Sequence, residues 1–214
     1  MKKKRSDAQK TRLKLLEAAS EVFGKKGFWS ATHEDICNRA NANTAAINYH
    51  FGSKENLYIE TWKYAFEKSM KKHPPEGGAL PDDPADKRIR GRILSFFRRI
   101  VDPEAYDIDI MLKEMANPTG FLIGIISATI EPIEQGFRSV LKEVIGESAT
   151  KEQVDYCYMS ISSLCFGPML RIRSVKKETG MPKPDFRPLD IGVEKLADYT
   201  IKFSMAGINS FKES

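Results

Sequence analysis

No apolar run in the chain is long enough to cross a bilayer. The most hydrophobic stretch, Phe121 to Ile130, falls far short of the roughly 20 residues a spanning helix needs, and Gly124, Ser127 and Thr129 interrupt it. Cysteine is scarce: Cys37, Cys157 and Cys165 are odd in number and have no C-x-x-C spacing, which argues against a disulfide framework or a structural zinc site. Of the three histidines, His33, His50 and His73, none stands beside a plausible nucleophile. Acidic residues are spread without a metal-ligand cluster, and there is no glycine-rich phosphate loop. The sequence therefore predicts no enzyme, no catalytic residue, no metal and no cofactor. The start M-K-K-K-R-S-D leads into a charged amphipathic stretch instead of the apolar core of a signal peptide. The expectation is a soluble cytoplasmic protein with no membrane partner.

What the chain does have is helical patterning and a lopsided charge. With 214 residues and 41% hydrophobic side chains it can build a real core. Residues 1–72 carry 15 Lys or Arg against 8 Asp or Glu; this is +7 in a chain of net +5, so the remainder is −2. A basic first third suits a polyanionic partner, because Lys and Arg that neutralise phosphates release condensed counterions.

The same third contains S-A-T-H-E-D-I-C-N-R-A-N-A-N-T-A-A-I-N-Y-H-F followed by G-S-K-E-N-L. Thr32 and Asp35 have the spacing of a capping box and start a helix near His33. Ile36 and Ala40 share one face of it, and it ends near Ala40. Asn41 tolerates a left-handed turn, and Asn43 caps the next helix. Ile47 and Phe51, four apart, turn inward, leaving Ala45, Ala46, Asn48 and Tyr49 outward. Two short helices around a tight turn, over about 32–51, make a helix-turn-helix, which can present a helix to a DNA groove.

Helical spacing recurs elsewhere. A capping box at Ser6 and Gln9 predicts a first helix carrying Leu15, Leu16, Ala19, Val22 and Phe23 and ending at Gly24 and Gly27. Ser53 is expected to cap a fourth helix running through Leu57, Trp62 and Phe66 to Lys72. The stretch H-P-P-E-G-G-A-L-P-D-D-P then breaks the chain, which divides it into 1–72 and 73–214. Helices are predicted at about 83–101, 104–116, 121–145, 150–172 and 189–210, with Pro132 and Gly167-Pro168 as points where a helix kinks or splits. The fold class is all-α, with about nine helices and no strand pattern.

The order of a capped first helix, T-H-E-D-I-C-N-R-A, a turn, A-A-I-N-Y-H-F and G-S-K-E-N-L resembles the DNA-binding domain of TetR-type transcriptional regulators over roughly residues 9 to 69. The segment E-M-A-N-P-T, Glu114 to Thr119, resembles one found in the CecR-like subgroup. The resemblance implies a three-helix DNA-binding domain followed by a helical effector-binding and dimerisation domain. It implies double-stranded DNA, a second copy of the chain and a small apolar or amphipathic effector as partners. The segment Thr44 to His50 would enter the major groove, with Tyr49, His50 and Lys54 on backbone phosphates. That segment has no Lys or Arg, so bidentate reading of guanine is unavailable, and readout falls to Asn48, Thr44 and the methyls of Ala45 and Ala46. Thr32 and Asn43 complete the expected DNA-binding set.

By the same resemblance the second half holds a pocket, for which Phe96, Met111, Met115, Phe121, Tyr158 and Phe166 are candidates; taken singly, such residues are more often simply core. Dimerisation is expected through 150–172 and 189–210, where Ile161, Leu164, Leu196, Tyr199, Ile201 and Phe203 fit either an interface or a monomer core. The implied activity is that of a repressor that binds a palindromic operator as a dimer and is released by an effector. A ligand-independent helix-turn-helix protein is the alternative. The arm Lys2 to Arg5 either enters the minor groove or lies along phosphates, or is a solubilising tail.

Overall fold

The computed structural model describes the backbone of residues 2–174 and 192–210, and their side chains other than those of 2–6, 171 and 174. Nine α-helices and no strand are present among the described residues: α1 Lys2–Ser30, α2 His33–Ala40, α3 Ala45–Phe51, α4 Lys54–Lys72, α5 Ala85–Val101, α6 Tyr106–Ala116, α7 Ile123–Ile145, α8 Lys151–Ser174 and α9 Val193–Ser210. The all-α class is as expected. Both α7 and α8 run unbroken through Pro132 and Pro168. The stretch K-K-E-T-G-M-P-K-P and the expected start of the last helix at 189 lie outside the described residues.

α1 differs from expectation at both ends. Its helical backbone begins at Lys2, so Ser6 lies inside the helix and does not cap it. At the other end Gly24 remains helical. A side chain there would crowd Asp109 and Tyr106 at 3.3 Å, so the bare backbone lets α6 approach and the helix continues. The break comes at Gly27, whose φ of 73° favours glycine, and the chain then adds Phe28 to Ser30 before α2.

The chain folds into two compact units. The first comprises Met1–Lys71 with Glu104–Ala128, and the second comprises Lys72–Pro103 with Thr129–Ser214. The proline- and glycine-rich break begins where the sequence suggests, yet packing divides the chain differently, because α6 returns to α1. Ile108 and Ile110 on α6 are buried, and α1, α2, α3 and α6 form one core with Leu15, Phe23, Ile36, Ile47, Tyr58 and Trp62, all at most 1% exposed. Phe23 meets Tyr58 edge-on at 4.8 Å and Phe28 meets Tyr58 at 5.1 Å.

In the second unit α5 packs on α8 and α9 through Ile89, Ile93, Phe97 and Ile100. Asp102, just past α5 and 8% exposed, lies 2.8 Å from both Lys72 Nζ and His73 Nε2. The buried Arg173 of α8 donates to the Asp102 and Arg99 carbonyls at 2.8 and 3.2 Å, satisfying the end of α5.

Candidate nucleic-acid interface

The candidate interface starts with a helix end that caps itself. Thr32, with extended backbone, accepts a hydrogen bond from the Asp35 amide at 3.0 Å, and the Asp35 carboxylate accepts one from the Thr32 amide at 3.0 Å. Two amides that α2 would otherwise leave orphaned are thereby satisfied. Lys26 reaches the same carboxylate at 2.5 Å. These contacts hold the Asp35 carboxyl below the usual carboxylate range, at about 2, the Lys26 hydrogen bond being the largest cause and those to Thr32 next.

At the far end Asn41 turns left-handed, with φ 49° and ψ 51°, and the Ala42 amide donates back to the Cys37 carbonyl at 2.9 Å. Asn41 is the one non-glycine residue with positive φ among the described residues. Asn43 then starts α3: its side-chain oxygen accepts from the Ala45 amide at 2.9 Å and its carbonyl from the Ala46 amide at 2.9 Å. Thr44 already has helical backbone and makes no capping bond, so Asn43 supplies the cap.

α3 is anchored by Ile47, fully buried, and Phe51, 7% exposed. Thr32, Asn43, Thr44, Ala45, Asn48 and Tyr49 are exposed, Tyr49 at 80%, and Ala46 is half-buried. The Tyr49 ring meets His50 edge-on at 4.9 Å and otherwise faces outward. His50 is half-buried; burial first, and then the charge of Arg12, lower its pKa and favour the neutral ring. The Arg12 guanidinium lies 5.2 Å over the Phe51 ring and pairs with Glu60 at 2.7 Å, bracing α3 from α1 and α4. Neither Arg12 nor Lys26 stands out in the sequence, where only the summed basic charge of the segment is visible.

Beyond Gly52, Ser53 accepts from the Asn56 amide at 3.2 Å, the cap expected for α4. The Lys54 ammonium sits 4.5 Å over the Phe28 ring, and burial lowers its pKa. Lys54 is thus held against the core by its charged tip, and the side chain is half-buried.

The candidate effector residues fall in both units. Met111, Met115 and Phe121 pack with the first, where Phe121 meets Phe28 edge-on at 5.4 Å and Met115 is exposed. Phe96, Tyr158 and Phe166 are half-buried in the second, where Tyr158 meets Phe137 at 5.9 Å and lies under the Arg138 guanidinium at 3.9 Å. None of the six lines the cleft of about 550 Å³ in the first unit. The three cysteines are buried and unbridged. Burial raises the pKa of each thiol, that of Cys165 to about 12. No cluster that could hold a metal occurs among the described residues, and no described helix is long and apolar enough to cross a membrane.

A short capped helix with a buried heel, an open polar face and a basic surround defines a helix-turn-helix domain of the kind that reads duplexes. Residues 15–61 match the family described as bacterial regulatory proteins, tetR family, and residues 85–208 match the C-terminal domain of the HTH-type transcriptional dual regulator CecR. The chain belongs to the TetR family, on its CecR-like branch. The CecR regulator of Shigella flexneri is 29% identical over 135 residues, 58% of this chain and 60% of that one. The HTH-type transcriptional repressor NicS of Pseudomonas putida is 41% identical over 59 residues, 28% of each. The matches thus span between 28% and 60% of these curated relatives' lengths. Among solved structures, a TetR-like regulator from Rhodococcus sp. RHA1 superposes with a TM-score of 0.70 at 16% identity, over 93% of this chain and 96% of that one; this likeness shows the fold.

Proposed function

We propose that the protein is a transcriptional repressor that binds a palindromic operator as a homodimer and leaves it when a small effector occupies the second half. The observation that carries the DNA-binding part is the exposed face of α3, with Asn48 and Tyr49 outward and Ile47 and Phe51 buried beneath. On this reading Tyr49, His50 and Lys54 hold phosphates, Thr32 and Asn43 set the two helix ends at the backbone, and Asn48, Thr44 and the Ala45 and Ala46 methyls meet base edges. A neutral His50 donates one ring N–H to a phosphate without adding charge.

Self-association is supported by apolar side chains that one protomer leaves open. On α8 these are Tyr156, Met159, Leu164 and Leu170, and on α9 they are Tyr199 and Phe203, which stack at 6.5 Å. Ile161, in contrast, is spent on the protomer's own core, and Leu196 and Ile201 are half-buried. An apolar face on two long helices suits a four-helix interface between copies.

For the effector, Phe96, Tyr158 and Phe166 offer half-buried aromatic surface in the second unit to an apolar or amphipathic molecule. Met111, Met115 and Phe121, on the same reading, belong to the first unit, where Phe121 meets Phe28. A compound that binds the DNA-bound and free conformations unequally shifts the population between them, and the same factor governs both ligands. The basic residues Lys2 to Arg5 extend the helical start of α1, and on this reading they lie along phosphates.

The test is anisotropy with duplexes selected from the source genome and with scrambled controls at several salt concentrations. Selected duplexes should bind on the order of 10³-fold more tightly than controls at physiological salt. Equal binding to both overturns the repressor reading. Removing residues 1–5 should shallow the salt slope; an unchanged slope excludes the arm.

A further inference from the structure

The first unit contains an open cleft of about 550 Å³ between α1, α2, α4 and the turn that begins α6. That volume is in the range of small-molecule sites, roughly 300–1,000 Å³. The space exists because Ala18, Ala40 and Ala65 form its floor, where larger side chains would have filled it. The rings of Tyr64 and Tyr106 stand on its walls.

The rim carries Lys14, Arg39 and Lys68 against Glu17, Glu21 and Glu104. A balanced rim does not concentrate ions of either sign, so a singly charged ligand gains little from it. Its members also differ in how far they are already paired. Glu21 is taken by Lys25 and Arg39, and Lys68 faces Glu104 at 3.9 Å. Among the described residues Lys14 makes no ion pair, and the Glu17 carboxylate is met by the Tyr64 hydroxyl at 3.3 Å and by no cation. Lys14 and Glu17 are three residues apart on α1 and so share a face. One available cation and one carboxylate without a counter-ion, beside aromatic walls and a methyl floor, complement a molecule with both charges and an apolar body.

We propose that this cleft is a second small-molecule site, distinct from the effector residues of the second unit, that takes an apolar α-amino acid or a similar small zwitterion. The ligand's carboxylate pairs with Lys14, its ammonium with Glu17, and its side chain lies on the alanine floor between the tyrosines. The walls come from α1, α2 and α4, and α1 and α4 brace α3 through Arg12 and Glu60, so occupancy fastens the reading head from behind.

The experiment is calorimetric titration of the full-length protein, without DNA, with L-phenylalanine, L-leucine, N-acetyl-L-phenylalanine and L-phenylalaninamide. Saturable binding of the two amino acids below about 10 mM is expected, about tenfold weaker for each derivative that lacks one charge. Lys14→Gln should weaken L-phenylalanine about tenfold and leave L-phenylalaninamide unchanged, because the amide has no carboxylate to lose; Glu17→Gln should do the same with N-acetyl-L-phenylalanine as the indifferent ligand. Both side chains are on the surface, so the variants keep their fold. The proposal is overturned if no ligand saturates by about 10 mM, if affinity ignores ligand charge, or if neither substitution matters. The readout contains no duplex, so its failure is separate from failure of the repressor reading.

Discussion

The Tyr58 hydroxyl donates to the Glu114 carboxylate across 3.2 Å, joining α4 to the last turn of α6 inside the first unit. Glu114 is 2% exposed and also accepts from the Thr119 amide at 3.0 Å and the Thr119 hydroxyl at 2.8 Å. The segment E-M-A-N-P-T therefore closes on itself, first residue to last. Burial, and the neighbouring carboxylate next, raise the Tyr58 pKa, so the hydroxyl remains a donor. Glu114→Ala removes the acceptor of three donors and should cost about 2–4 kcal/mol, whereas Tyr58→Phe should cost about 1 kcal/mol. Urea denaturation of both variants checks this order; a larger loss for Tyr58→Phe contradicts it.

Asn41 occupies a left-handed position that most side chains resist. Asn41→Val should destabilise by about 1–2 kcal/mol, while Asn41→Gly should be neutral or slightly stabilising. Thermal melts of the pair measure this, and equal effects show that conformation is not what Asn41 supplies.

The Asp35 carboxyl, held at about 2 against an ordinary 3.8, makes a pH prediction with a definite sign. Its folded pKa lies below its unfolded one, so the stability it adds is complete above about pH 4 and drains away as pH falls through about 2. Asp35→Asn should flatten this acid-side loss. Melting temperatures of parent and variant between pH 6 and pH 2, in about one-unit steps, should converge at the acid end.

Phosphate and base contacts separate by their dependence on sequence. Tyr49→Ala and Lys54→Ala should weaken binding to selected and scrambled duplexes alike, and Lys54→Ala should reduce the salt slope by about one. Asn48→Ala should cost about 1–3 kcal/mol on selected duplexes and little on scrambled ones. Equal losses on every duplex contradict a reading role for Asn48.

The open ring pair Tyr199 and Phe203 tests the interface. Replacing both by Glu places like charges at the proposed contact and should convert a dimer to a monomer in sedimentation at micromolar concentration, with helix content retained. An unchanged sedimentation coefficient excludes this face.

The residues of this chain determined by themselves whatever depends on neighbours a few positions away. The box at Thr32 and Asp35, the turn at Asn41, the cap at Asn43 and the inward pair Ile47 and Phe51 are local chemistry, so spacing alone revealed them, and with them the all-α class. Tertiary structure decided what depends on elements distant in sequence. Gly24 reads as a stop until α6 lies against it. Phe121 has no visible partner in the sequence until Phe28 meets it, and α6 lies beyond the break until Glu114 finds Tyr58. Helix ends are set by hydrogen bonds among adjacent residues. Helix partners are set by which apolar faces bury one another, and one strand of text does not contain that geometry.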